Sequence, residues 1–353
     1  MNALPIAPMS AADKDLAFNS YNNAFYVANN GNAYYAIDTD RTVPDRLQFW
    51  RVCEEIEAVE DAYDRTKKPI YKNMVTELLN GLNNLVSQTP DFTSWNIYND
   101  DVMWAVIALT RGYEITGNSA YLEQAKWQFN CVWDRAWDDA LGGGLWWTTD
   151  KKQKNACVNG PAAIAALLLA RNTTGTGYHV QAKLLYHWLL ATLVQVETGE
   201  VADHIDVNGV KNWMSFTYNQ GTYIGASTLL YEATSDSNYL ANAAQAVSWT
   251  QHHLTGQHCN DILNDEYDIA DGGRHDGCGF KGIFVRWAAK YVHVVEARNN
   301  ATKNWLTANA NAAWENRNSS GLMWGQWWHR TPDNGVLTSW ECSSGVVVTQ
   351  CAP

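Results

Sequence analysis

Two aspartates, Asp100 and Asp101, follow one another in Tyr98-Asn99-Asp100-Asp101-Val102-Met103-Trp104, where polar residues give way to an apolar run. Cleaving a glycosidic bond needs two carboxyl groups flanking the scissile oxygen. They stand about 5–5.5 Å apart when configuration is retained and about 6.5–9.5 Å apart when it is inverted. Consecutive Cα atoms are about 3.8 Å apart, and consecutive side chains on a helix diverge by about 100°. An Asp-Asp pair at a helix start therefore falls in the shorter, retaining range. The positive end of the helix dipole favours one ionised carboxylate, the form a nucleophile needs. Its charge raises the proton affinity of the neighbour, the form an acid needs. The two are expected to titrate as a coupled pair. Taken alone, a helix cap followed by a first-turn acid accounts for the same two residues.

Such a pair needs a rigid frame, and the hydrophobic pattern predicts helices. Leu47, Trp50, Ile56, Val59 and Tyr63 fall near helical spacing, as do Val75, Leu78, Leu79, Leu82 and Leu85. Further helices are predicted over 102–116, 120–135, 161–171, 178–197, 222–233, 238–253, 280–297 and 302–316, with an amphipathic start at 13–29. Strand-like alternation is scarce. Polar, often glycine-rich segments open helices near residues 45, 100, 160, 219, 278 and 340, a period of roughly 55 to 60 residues. Each period holds one outgoing and one returning helix, and six periods give twelve. An open solenoid would need polar caps on its end repeats, whereas a closed ring needs none. The expected fold is all-α, an (α/α)6 barrel of six helical hairpins forming a single catalytic domain over 1–353.

In that frame the N-termini of the six inner helices share one mouth. The segments Thr42 to Asp45, Tyr98 to Asp101, Asn155 to Asn159, Tyr218 to Gly221, Asp276 to Lys281 and Ser339 to Glu341 converge there. Asn99, Asn155, Tyr218, Asn219, Gln220 and Asp276 carry groups that can bond sugar hydroxyls. Capping or barrel closure explains the amides as well. Trp104, Trp146, Trp147 and Phe280 are candidate platforms for the apolar face of a sugar. Lys281 and Arg286 could pair with Asp276 or with the two aspartates, and Arg286 reads rather as structural. Gly142 to Gly144 would let the backbone approach a ligand, or simply turn.

Composition sets the outer bounds. The chain has 353 residues, 46% of them hydrophobic, which suffices for a sizeable core. A net charge of -12 disfavours nucleic acid and anionic membranes as partners. No apolar run reaches the length of a membrane span. The N-terminus lacks the basic and apolar regions of a signal peptide. Asn172-Thr173-Thr174, Asn300-Ala301-Thr302 and Asn318-Ser319-Ser320 fit the glycosylation pattern and favour secretion. Seven cysteines contain no Cys-x-x-Cys, so no metal is expected. A bridge from Cys259 to Cys278 and free buried thiols are equally compatible readings. Asp261, Asp265, Glu266, Asp268 and Asp271 lack the glycine of a calcium loop and read as solvated. His252 and His253 are adjacent, do not share a helix face, and read as surface residues. Eighteen tryptophans are far above ordinary usage, and most are expected in the core.

Four ordered segments carry a resemblance. Tyr98-Asn99-Asp100-Asp101-x-x-Trp104 is similar to the signature of glycoside hydrolase family 76, the endo-α-1,6-mannanases. Gly142-Gly143-Gly144-Leu145-Trp146-Trp147 with Lys154-Asn155-Ala156, Thr217-Tyr218-Asn219-Gln220-Gly221, and Asp276-Gly277-x-Gly279-Phe280-Lys281-Gly282-Ile283-Phe284-x-Arg286 resemble three further segments of that family. The likeness spans most of the chain. It implies an (α/α)6 barrel and a retaining mechanism, with Asp100 as nucleophile and Asp101 as general acid/base.

The expectation is a secreted or cell-wall-associated, monomeric endo-α-1,6-mannanase that acts on α-mannan without metal or cofactor. One alternative is a cell-wall transglycosidase of the same family, working on the α-mannosyl cores of glycolipid-anchored proteins, with the glycosylation patterns and scattered cysteines favouring a fungal origin. The absence of an apolar tail after Gln350-Cys351 weighs mildly against it. The other alternative is a mannan-binding protein without catalysis, for which the paired carboxylates would be superfluous.

Overall fold

The computed structural model describes residues 6–175, 177–256, 261–264, 275–295 and 300–353. Twelve α-helices, numbered along the chain, occupy them. Six are inner: α2 (Phe49–Thr66), α4 (Asn99–Thr116), α6 (Ala156–Asn172), α8 (Thr217–Thr234), α10 (Gly277–Val295) and α12 (Ser339–Cys351). Each packs on the next, and α12 returns to α2, closing the ring. The outer six are α1 (Ala11–Phe25), α3 (Pro69–Gly81), α5 (Ser119–Ala136), α7 (Tyr178–Thr192), α9 (Ser237–His253) and α11 (Asn300–Glu315). The expected (α/α)6 barrel is the observed architecture.

Sequence explains which helix goes where. From Ala156 to Ala170 every residue of α6 is buried, the mark of a helix packed all round. Helix α5 instead buries one stripe, Tyr121, Leu122, Ala125, Phe129, Val132 and Ala136, and turns its other face outward. Where α8 meets α10, a Cβ on Gly221 would lie 2.5 Å from Phe284 Cα. Glycine thus sets how closely these two inner helices approach.

The ring also encloses charge. Glu54, Glu57 and Asp61 on α2 meet two buried arginines. Arg286 pairs with Glu54 at 2.6 Å and Asp61 at 2.8 Å, while Arg111 pairs with Glu57 and Asp61, both at 2.8 Å. Arg286 is structural, as expected, and touches neither Asp276 nor the aspartate pair.

Three expectations about elements need correction. Helix α1 ends at Phe25 rather than near residue 29. Tyr26–Asn29 (β1), Asn32–Asp38 (β2) and Arg41–Pro44 (β3) form an antiparallel sheet in the order β1-β2-β3. The cause is Asn30-Gly31, both at positive φ (51° and 76°), which closes a two-residue hairpin. Thr42 to Pro44 therefore belong to a strand, and the first inner helix opens only at Phe49. Helix α7 likewise stops at Thr192, and Val194–Gln195 (β5) pairs with Glu200–Val201 (β6). A third small sheet joins Gln153–Asn155 (β4), His204–Asp206 (β7) and Lys211–Asn212 (β8).

Cys53, Cys131, Cys157, Cys342 and Cys351 are free thiols. The Cys259–Cys278 bridge lies outside the described residues, because Cys259 is not among them; the same holds for Asp265, Glu266, Asp268 and Asp271. His252 and His253 are exposed.

Candidate active site

Five of the six inner-helix starts border one cavity of about 610 Å³. The loop into α2 contributes Arg46 to Trp50, and the approach to α4 contributes Trp95 to Tyr98, Asp100, Asp101 and Trp104. Asn155 and Cys157 come from the start of α6, Phe216 and Tyr218 from α8, and Asp276 and Phe280 from α10. The sixth start stays behind the wall. Trp340 packs edge-on against Trp50, with centroids 4.7 Å apart, and its indole N–H donates to the Asp276 carbonyl at 3.0 Å.

Asp100 and Asp101 sit in the first turn of α4. Burial pushes the Asp100 carboxyl up to about 6. The neighbouring Trp147 indole and Cys157 thiol, with backbone N–H groups at the helix start, hold it from rising further. The indole dipole favours the carboxylate, yet Asp100 Oδ1 and Trp147 Nε1 are both buried without a well-formed hydrogen bond. Asp101 is pushed well above the ordinary carboxylate range, by burial first and then by the charge of Asp100. Asn96 opposes this by donating from Nδ2 to Asp101 Oδ2 at 2.9 Å. The surroundings thus favour protonation of Asp101 more strongly than that of Asp100.

Aromatic rings shape the rest of the cavity. Tyr218 stacks on Phe280 with centroids 3.9 Å apart and planes 21° apart. Trp147 leans on Tyr98 at 5.3 Å, and Trp50 bridges Trp104 and Phe280 at 6.3 and 6.0 Å. Four tryptophans line the cavity, namely Trp50, Trp95, Trp104 and Trp147. Nine of the eighteen are buried in the strict sense, and only Trp127 and Trp213 are exposed, so packing claims most of the indoles.

Of the residues picked from sequence, Asp100, Asp101, Trp104, Trp147, Asn155, Tyr218, Asp276 and Phe280 border the cavity. Five others do not. Asn99 is fully buried, donating to the Trp146 carbonyl (2.8 Å) and accepting from Arg135 Nε (2.6 Å). Trp146 donates to Asp138 at 2.6 Å and packs under the Lys154 ammonium. Asn219 donates to Asp203 at 3.3 Å. The Gln220 amide bonds Gly199 and Val201 when oriented to donate to the former (3.1 Å) and accept from the latter (2.8 Å). Lys281 is buried, with Nζ above the Trp327 and Trp328 rings. These side chains close the barrel and anchor its loops. The Gly142 to Gly144 run is a turn, all three at positive φ, with Gly144 packed so tightly on Trp188 that a Cβ would lie 2.5 Å from its ring.

Sequence reasoning missed other residues. Arg51, not Lys281, holds Asp276, through Nε and Nη2 at 2.9 and 2.7 Å. The two are 225 positions apart, and no local pattern announces the pair. Asp203 borders the cavity beside His204, at 2.7 Å, at the end of an unforeseen hairpin. Asn96 was legible in principle, as a polar residue two positions before the Tyr-Asn-Asp-Asp segment.

A search of curated proteins gave no match. Among solved structures, the GH76A α-1,6-mannanase of Salegentibacter sp. HEL1_6 superposes with a TM-score of 0.84 at 30% identity, covering 97% of this chain and 98% of that one. A variant of that enzyme, inactive with two consecutive aspartates changed to asparagine and solved with α-1,6-mannotriose, matches equally well. Dfg5 from Chaetomium thermophilum, in complex with glucosamine, shares the fold with a TM-score of 0.72 at 18% identity, covering 86% of this chain and 80% of its own. The sequence profile of glycosyl hydrolase family 76 matches residues 9–352, and the chain belongs to that family.

Proposed function

We propose that this protein is a retaining endo-α-1,6-mannanase, with Asp100 as nucleophile and Asp101 as general acid/base. One observation carries the reading: two consecutive carboxyls border the barrel-mouth cavity, and their surroundings raise Asp100 to about 6 and push Asp101 well above the ordinary carboxylate range. Asp100 attacks the anomeric carbon as Asp101 protonates the departing oxygen. Asp101 then takes the proton of the incoming water, which breaks the mannosyl–Asp100 ester with a second inversion. Three buried polar atoms at this cavity, Asp100 Oδ1, Trp147 Nε1 and Asn155 Oδ1, make no well-formed hydrogen bond within the protein. Sugar hydroxyls both donate and accept and suit all three. A relative at 30% identity loses activity when two consecutive aspartates are replaced, and it binds an α-1,6-mannooligosaccharide. Action on exported or cell-wall mannan belongs to the same proposal.

The test is Asp100→Asn and Asp101→Asn, each assayed on linear α-1,6-mannan. Loss of the acid is expected to lower kcat/KM about 10²–10⁴-fold, and loss of the nucleophile at least as much. NMR of the first product should show the α-anomer. A folded variant with near wild-type activity, or a β-anomer, would reject the assignment. A mannoside acceptor added in competition with water separates hydrolysis from transglycosylation by the products formed.

A further inference from the structure

Every hydrogen-bonding group of Asn96 is committed, and the pattern is directional. Its backbone N–H donates to the Phe92 carbonyl at 3.0 Å, and its own carbonyl accepts from Arg135 Nη2 at 3.0 Å. Its side-chain Oδ1 accepts from the Tyr98 N–H at 2.9 Å. A backbone N–H can only donate, so the amide has one orientation. Nδ2 must therefore face Asp101 Oδ2, which it meets at 2.9 Å. Arg135 braces the arrangement from behind, because it also bonds Asn99 Oδ1 (2.6 Å) and the Thr93 carbonyl (2.9 Å).

A protonated carboxyl has one good acceptor, the oxygen without the proton. An amide N–H fixed on Oδ2 makes that oxygen the acceptor and leaves the proton to Oδ1. We propose that Asn96 is a positioning residue, which selects the Asp101 oxygen that carries the transferable proton and aims it at the leaving group. This rests on the acid/base role given to Asp101 above. Among the described residues, the ionisable groups facing Asp101 are Asp100 on its own helix, Asp276 before α10 and Cys53 on α2. None of them is a fixed donor to it, so among the described residues no ionisable neighbour duplicates the amide.

The test uses Asn96→Asp, which keeps an acceptor for the Tyr98 N–H and removes the donor to Asp101, and Asn96→Ala, which removes both. Each is assayed on α-1,6-mannan and on 2,4-dinitrophenyl α-1,6-mannobioside, whose leaving group needs no protonation, with Asp101→Asn as the reference. We expect Asn96→Asp to lose about 10–100-fold on mannan, a part of what general acid catalysis contributes, and less than about threefold on the aryl glycoside. The basic limb of its pH profile should move to higher pH, since losing a donor and gaining a charge both disfavour ionised Asp101. Circular dichroism confirms that the variants are folded, and Asn96→Asp alone decides should Asn96→Ala fail to fold. Equal losses on both substrates, or an unmoved basic limb, overturn the proposal while Asp101→Asn still shows the leaving-group split. If Asp101→Asn shows no split, the acid/base assignment itself is wrong, and the role of Asn96 falls with it.

Discussion

Trp147 serves the cavity in two ways, and they can be separated. Its ring leans on Tyr98, and its indole N–H is among the few groups that hold the Asp100 carboxyl near 6 against burial. Trp147→Phe keeps a ring and removes the donor. The Asp100 pKa should then rise, because less stabilises its charged form. A larger share of nucleophile is protonated at pH 5, so the acidic limb of kcat/KM moves to higher pH. Activity at pH 5 should fall more than at pH 7, and a pH–rate profile measures it. At this scale the sequence spoke clearly about the aspartates and poorly about amides. Asn99, Asn155, Asn219 and Gln220 look alike as polar residues before helices, yet only Asn155 borders the cavity. Which way an amide faces depends on partners such as Arg135 and Val201, brought close by the fold alone.

Helix α2 is unusual among the elements in burying Glu54, Glu55, Glu57 and Glu60. Burial pushes Glu54 and Glu55 each up to about 8, against an ordinary glutamate value of about 4.3. Between these values the native chain binds protons that the unfolded chain has released. Stability from this source is complete below about pH 4.3 and is lost as pH rises through 8. The melting temperature is therefore expected to fall from pH 5 to pH 8. Glu55→Gln should raise it at pH 8 and leave it nearly unchanged at pH 5, as scanning calorimetry can show. An unchanged melting temperature at both would mean that Glu55 ionises without cost. Helical periodicity gave no warning of this charge, since acidic residues normally mark a solvated face. The Asn30-Gly31 hairpin is the opposite case. Its turn signal is present in the sequence, but the run from 13 to 29 before it keeps a helix-like pattern that hides the start of β1.

The whole molecule is a ring, and a ring fails where its closest contact is forced apart. Gly221 lies in such a contact between α8 and α10. In an exposed helix, Gly→Ala would stabilise by about 1 kcal/mol. Here the added methyl meets the Phe284 backbone, and overpacking of this kind costs about 1–3 kcal/mol. Gly221→Ala should lower the melting temperature, and thermal unfolding decides the sign. The twelve-helix count and the six shared starts were legible because a period of roughly 60 residues survives every local ambiguity. The small sheets of β4 to β8 were not, since strands of two to three residues are too short to establish an alternation.

The placement of Asp100 and Asp101 on consecutive residues of one helix has a consequence for how the enzyme would wear out. In a site whose two carboxyls hang from different elements, loosening of the scaffold changes the gap between them. Here that gap is fixed by covalent bonds and one helical turn, and heat or a distant mutation that relaxes the barrel hardly alters it. Under the proposed chemistry such damage slows turnover by misplacing substrate, while the handedness of the product stays faithful until α4 itself unravels.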